Sequence, residues 1–289
     1  MQIRHAVFPV AGLGVRFLPF TKATPKEMLP LVDKPLIQYA VEEAVRAGIK
    51  HMIFVTNSKK HTIANHFNDN IHLERHLSDQ GNDVSLALLQ TICSPDVQFT
   101  FIRQNKPLGL GDAVLCAEHV VGIEPFVVIL PDNLLGYAEP SCLVALNERF
   151  TKHNQSLVAV QCVPWNEIHN YGIVNAADLE KNDSLILDII EKPNKSQATS
   201  NLASIGRYLF TSSIFSYIKQ TPVDKNGEIQ LTDAIQQLLK HEKIYAYKYS
   251  GEHFDCGSKL GYLQAVVKFG MQHPEVGEDF RAYLKHSQF

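Results

Sequence analysis

Ala11-Gly12-Leu13-Gly14-Val15-Arg16-Phe17 follows directly on the apolar run Ala6–Val10, and the reading of this junction decides the fold. Ala6–Val10 reads as a buried strand, and a Gly-x-Gly turn at its end lets backbone N–H groups approach a phosphate closely. A dinucleotide-binding fingerprint fails here. Phe17 occupies the third glycine position, and the chain continues through Pro19, Pro25, Pro30 and Pro35, none of which fits a helix interior. No G-x-x-x-x-G-K-[ST] loop is present either. What remains is a Gly turn followed closely by Arg16, Lys22 and Lys26, cationic groups where a triphosphate needs them. A solvated surface loop would carry the same charges, so spacing alone leaves both readings open.

Outward from this junction, Leu36, Ile37, Ala40, Val41, Ala44 and Val45 recur at helical spacing, with Pro35 at the start and Gly48 past the end. Met52–Thr56 is the next strand, then Phe99–Arg103, a helix opened by Leu108–Gly111, Phe126–Leu130 running into Pro131-Asp132-Asn133, and Ser156–Val163. Strands alternating with helical patterns predict an α/β chain with a parallel, doubly wound sheet. From about residue 165 the pattern loosens. Strands are expected near Ile173 and over Ile186–Glu191, Ile205–Phe210 and Tyr245–Tyr249, with helices around Ile214–Lys219, Leu231–His241 and Lys259–Phe269. No repeat or linker interrupts the 289 residues, which predicts a single α/β domain with an elaborated second half.

Composition narrows the partners. Lys+Arg number 27 against Asp+Glu 30, a formal charge of −3 that argues against nucleic acid or an anionic membrane. A polyanionic ligand would need a local basic cluster, helped by a cation. No apolar run approaches the ~20 residues of a membrane span, and five scattered cysteines without C-x-x-C suit a reducing, cytoplasmic setting.

The residues then cease to be anonymous. Ala11–Pro19, Thr21-Lys22-Ala23 and Pro25–Tyr39 closely resemble the bacterial UTP–glucose-1-phosphate uridylyltransferases of the sugar nucleotidyltransferase family. The likeness continues through Pro107–Gly111, Leu130-Pro131-Asp132, Tyr171-Gly172, Glu191-Lys192-Pro193, Ser200–Ala203, Gly227–Ala234 and Asp255–Tyr262. Many ordered motifs at consistent spacing are far more specific than one Gly loop.

This resemblance implies a three-layer Rossmann-like nucleotidyltransferase fold with a mostly parallel central sheet. Residues up to about 165 would form the nucleotide-binding half; about 166–289 would bind sugar and support oligomerisation. The implied reaction joins UTP and α-D-glucose 1-phosphate, giving UDP-glucose and pyrophosphate. The resemblance assigns Arg16, Lys26 and Asp132 to catalysis, the loop Ala11, Gly12, Leu13 and Gly14 with Arg16 and Lys26 to the nucleotide, and Glu27, Gln104 and Gly109 to the uracil edge. It assigns Gly172, Glu191 and Lys192 to the sugar phosphate, and Asp132 with Asp255 to Mg²⁺. A homodimer or homotetramer is implied as well.

Two positions depart from the pattern. Asn133 follows Asp132 where this family is expected to have an apolar residue and where related thymidylyltransferases often carry asparagine, and Asp112 stands where some relatives have a histidine. Thymidylyl transfer is therefore the nearest alternative. A non-catalytic sugar-nucleotide sensor is the alternative from another class, and the presence of Arg16, Lys26, Asp132, Lys192 and Asp255 argues against it. His72 and His76 stand at i, i+4 without a third ligand nearby, Cys256 lacks an activating base, and Val276–Leu284 is expected to form a packed or intersubunit helix.

Overall fold

A computed structural model of the protein describes residues 3–57, 60–92, 95–178 and 180–287; Cys93 lies outside them. The chain opens with β1 (His5–Pro9), the short strands β2 (Pro30–Leu31) and β3 (Lys34–Pro35), α1 (Leu36–Arg46) and β4 (His51–Thr56). Next come α2 (His61–Phe67), α3 (Ile71–Asp79), α4 (Asp83–Ile92), β5 (Gln98–Arg103), α5 (Gly109–Cys116), α6 (Glu118–Val121), β6 (Phe126–Ile129) and β7 (Asn133–Leu135). The second half runs α7 (Cys142–His153), β8 (Ser156–Cys162), β9 (Gly172–Ala176), β10 (Asp183–Glu191), β11 (Leu202–Phe210), α8 (Ile214–Gln220), α9 (Leu231–Leu238), β12 (Ile244–Lys248), β13 (His253–Asp255), α10 (Lys259–Gln272) and α11 (Gly277–His286).

Nine strands form one sheet in the order β5-β4-β1-β6-β11-β8-β12-β10-β9. The half with β5, β4, β1 and β6 is wholly parallel, as the first strands and helices predict. Beyond β6 the sheet is mixed, because β11 is antiparallel to both β6 and β8, and β10 is antiparallel to both β12 and β9. The strands still share a dominant direction; β10 and β11 alone run against it.

Helices cover both faces, giving three layers. Alternation along β1 sends Val7 to one face and Ala6 and Phe8 to the other. On Val7's side α5, α8 and α9 contribute Val114, Phe215 and Ile235; on Phe8's side α1 and α7 contribute Ile37, Val41, Leu146 and Phe150. These side chains are almost fully buried, and each contributes roughly 1.5–3 kcal/mol of transfer free energy. Pro35 precedes α1, and Gly48, with φ +82°, follows it, the left-handed residue that ends the helix.

After the Gly turn the chain makes three 3₁₀ turns, Val15–Phe17, Phe20–Lys22 and Lys26–Met28, so the prolines do exclude a long helix there. Residues 61–92, which carry no recognisable motif, form α2, α3 and α4. His72 and His76 both point to solvent from α3, and no cluster of metal-ligating side chains larger than a pair occurs among the described residues. Cys256 is wholly buried beside Leu134 and Ala265, and burial pushes its thiol far up, so its role is packing. Val276–Leu284 lies largely within α11, which packs its Phe280 against Gly270 of α10.

Candidate active site

Strand β1 ends at the Gly loop, and the carbonyls of that loop are tied back into the protein. Asn57 Nδ2 donates to Ala11 O at 2.7 Å, Lys60 Nζ donates to Val10 O at 2.5 Å, and Thr21 Oγ1 donates to Gly14 O at 2.8 Å. Two carbonyls of the loop, Ala11 O and Gly14 O, are held in this way, and the backbone N–H groups of such a Gly-rich turn are suited to a phosphate. Gly14 itself, at φ +66°, allows the turn. The loop borders a cavity of about 450 Å³ together with Lys26, Gln104, Gly109, Asp132 and Glu228.

A second cavity, about 250 Å³, adjoins the first: Leu110, Leu130, Asp132 and Glu228 belong to both. Arg16, Asp255, Gly172, Glu191 and Lys192 line it. Strand pairing brings this set together, since Glu191 of β10 lies opposite Gly172 of β9. A Cβ on Gly172 would come within 2.9 Å of Thr232 Cγ2, so glycine is needed there. Glu191 Oε2 accepts from Thr232 Oγ1 at 3.2 Å, and Lys192 Nζ lies 3.0 Å from Glu191 Oε1.

Asp132 stands where the cavities meet. Burial opposes its charge, but Lys26 Nζ at 2.5 Å holds the carboxyl below the usual carboxylate range. Burial likewise opposes the Lys26 ammonium, and Asp132 and Glu27 overcome it, pushing that group upward. The ribbon β7–β13 pairs Asn133 with Asp255 and so carries Asp255 to Asp132 across more than a hundred residues. Burial first, then the negative charge of Asp132, pushes the Asp255 carboxyl upward against the hydrogen bond it accepts from Gly257 N. Two carboxylates that repel one another are a natural seat for a divalent cation. A Cβ on Gly257 would meet Asp255 Oδ1 at 2.9 Å and Asp132 Oδ2 at 3.2 Å. Only glycine leaves that space open, and the donor set of hard oxygens suits Mg²⁺.

Most residues expected from the sequence therefore line these two cavities: Ala11, Gly12, Leu13, Gly14, Lys26, Gln104 and Gly109 in one, Arg16, Gly172, Glu191, Lys192 and Asp255 in the other, Asp132 in both. Glu27 does not. It is 1% exposed, borders neither cavity, and its Oε2 accepts from Lys60 Nζ at 2.8 Å. Burial pushes the Glu27 carboxyl up and the Lys60 ammonium down, while each opposes the shift of the other. The structure thus does not bring Glu27 to the cavity wall with Gln104 and Gly109; it lies enclosed beneath the loop, paired with Lys60.

Three functional neighbours escaped the sequence reading. Lys60 and Asn57 brace the loop from the end of β4, and no motif marks them. His253 completes the set: its Nε2 lies 2.8 Å from Asn133 Oδ1, and burial, with Arg207 nearby, lowers the imidazole to about 4. The neutral ring donates to Asn133, which turns the Asn133 amide nitrogen toward Asp132 Oδ1, 3.5 Å away. Tertiary pairing of β7 with β13 creates this contact.

Comparison with known proteins adds to the geometry. The nucleotidyl transferase family model matches residues 6–270. UTP–glucose-1-phosphate uridylyltransferase of Haemophilus influenzae is 44% identical over 97% of this chain and 98% of its own. A UTP-bound UGPase from Acinetobacter baumannii superposes with a TM-score of 0.93 at 42% identity, covering 99% of this chain and all of that one. A UDP-glucose pyrophosphorylase complexed with UDP-glucose gives a TM-score of 0.84 at 41% identity over 94% of this chain and 100% of that structure. With its parallel half-sheet, its paired cavities and matches that run nearly end to end, the chain belongs to the nucleotidyl transferase family.

Proposed function

We propose that the protein transfers a uridylyl group from UTP to α-D-glucose 1-phosphate, giving UDP-glucose and pyrophosphate. The observation that carries this reading is the junction of two cavities at Asp132, one bordered by a Gly loop and the other by Glu191 and Lys192. The relatives of this length act on or bind these same molecules, by their names, which supports the choice of nucleotide and sugar.

Here the sugar phosphate oxygen attacks the α-phosphorus in line and pyrophosphate leaves. That oxygen is already ionised at neutral pH, so the chain's task is to position two polyanions and offset their repulsion. The Ala11–Gly14 loop wraps the triphosphate with backbone donors. Lys26 serves the phosphates nearest the reacting centre, and Arg16 the departing pyrophosphate. Gln104 and Gly109 read the uracil edge. Gly172 gives the sugar close access, Glu191 accepts from its hydroxyls and Lys192 pairs with its phosphate. Asp132 and Asp255 would hold Mg²⁺, which when bound supplies neutralisation of the phosphate charges.

The reading places the enzyme in the cytoplasm as a homodimer or homotetramer. It is supported by the free thiols of Cys116, Cys142, Cys162 and Cys256, and by the exposed apolar row Leu260, Leu263 and Val267 along α10. No described helix is long and apolar enough to cross a membrane.

Pyrophosphate release from the purified protein with glucose 1-phosphate and Mg²⁺, comparing UTP, dTTP, ATP, CTP and GTP, tests the proposal. Preference for UTP that EDTA abolishes is the expected result. Preference for dTTP would keep the mechanism and replace the nucleotide; no release from any nucleotide would overturn the enzyme.

A further inference from the structure

We infer that Asp112 selects the nucleobase by fixing which way the Gln104 amide faces; this rests on the uridylyl-transfer reading above. Gln104 is 7% exposed and borders the nucleotide cavity beside Gly12, Leu13 and Gly109. Its Nε2 donates to Asp112 Oδ2 at 2.7 Å and to Gly109 O at 3.2 Å. An ionised carboxylate only accepts, so the nitrogen end must face Asp112. Asp112 lies in the first turn of α5, where the helix dipole favours a negative side chain.

The second acceptor is fixed just as firmly. Gly109 adopts φ +90°, a conformation open to glycine, and Ile229 N donates to Leu108 O at 2.7 Å, clamping the turn from the second half. Both N–H bonds of Gln104 are therefore engaged, and Oε1 is the atom left to meet a ligand.

That single acceptor suits an imide. Uracil and thymine offer N3–H to it, whereas cytosine would bring a lone pair at N3 against Oε1. A site built to hydrogen-bond a ligand group rejects an analogue that leaves buried polar atoms unpaired. Asp112 acts through Gln104 and is a positioning residue: it admits UTP and dTTP alike and excludes CTP.

The experiment compares kcat/KM for UTP and CTP in four proteins, wild type, Asp112→Asn, Gln104→Leu and the double variant, with thermal melting to confirm folding and Asp112→Ala as a second probe. An asparagine can donate or accept, so the Gln104 amide can turn around. The UTP:CTP ratio should fall on the order of tenfold in Asp112→Asn. In the Gln104→Leu background the same substitution should leave the ratio unmoved, the non-additivity expected of two groups acting as one. An unchanged ratio in folded Asp112→Asn, or an equal fall in both backgrounds, would overturn the inference. Should the wild type turn over no nucleotide at all, the uridylyl reading fails; titration of UTP and CTP binding to the same four proteins then decides on Asp112 by the same ratio.

Discussion

Arg16 is exposed on the loop edge and reaches the cavity that holds Asp255. Placed to meet charge that builds as pyrophosphate departs, it should matter more to turnover than to binding. Arg16→Ala is expected to lower kcat roughly 10²-fold or more, as loss of a group that stabilises transition-state charge does; near-normal turnover in steady-state assays would remove it from that role. Asp132→Asn should raise the Mg²⁺ concentration needed for half-maximal rate, and an identical Mg²⁺ titration would count against Asp132 as a ligand. The buried pair Lys60–Glu27 carries a different expectation. Lys60→Met strands a buried carboxylate, at about 3–5 kcal/mol, so the melting temperature should fall by several degrees. Adding Glu27→Gln should restore much of the stability. It should not restore kcat/KM for UTP, because the Val10 carbonyl still lacks its donor. These residues also show what a sequence discloses. Gly12, Gly14, Arg16 and Lys26 fall close together and declare themselves by type and spacing. Lys60 meets Val10 and Glu27 across 50 and 33 residues, and His253 meets Asn133 across 120, so only folding reveals them.

At the scale of elements, β1, α1, β4, β5 and β6 follow from alternation, helical spacing and the punctuation of Pro35 and Gly48. The helices α2, α3 and α4 are not legible for different reasons: α2 is short and buries only Ile63 and Phe67, α3 is polar and buries none of its side chains, and α4 is rich in apolar residues yet also buries none, so no apolar stripe facing a core announces them. The reversed strands β10 and β11 were found as strands, yet direction is set by which neighbour they pair with, which no local pattern encodes. Away from the site, the parallel pair β1–β4 aligns His5 with His51, and their Nδ1 atoms lie 3.0 Å apart. Burial, then His5 and Arg4, lower the His51 imidazole, while Thr100 and Glu124 hydrogen-bond the outer nitrogens of the pair. A folded-state value below the unfolded one means stability is present above the unfolded histidine value of ~6.5 and is lost as pH falls below it. Thermal melts from pH 7.5 to 5 should therefore show a steeper decline for the wild type than for His51→Gln; parallel curves would contradict the coupling.

Taken as a whole, the molecule does not divide where its chemistry divides. The nucleotide half anticipated over about 1–165 contains β6 and β8, but β11, from the sugar half, lies between them and hydrogen-bonds both. Glu228 and Ile229 likewise close over Gly109 and Gly111, where a Cβ would come within 2.8 Å of them. A fragment ending at residue 165 should thus lack cooperative thermal unfolding, and a sharp two-state melt from it would show that the halves are separable after all.

The central place of β11 also bears on how the protein is made. A ribosome delivers β6 and β8 before the strand that must part them, so for that interval the nascent polypeptide carries two raw edges facing an unfilled slot. Direct pairing of β6 with β8 would lock that slot shut. Maturation is consequently tied to the arrival of Leu202–Phe210, and neither binding half can be finished ahead of the other.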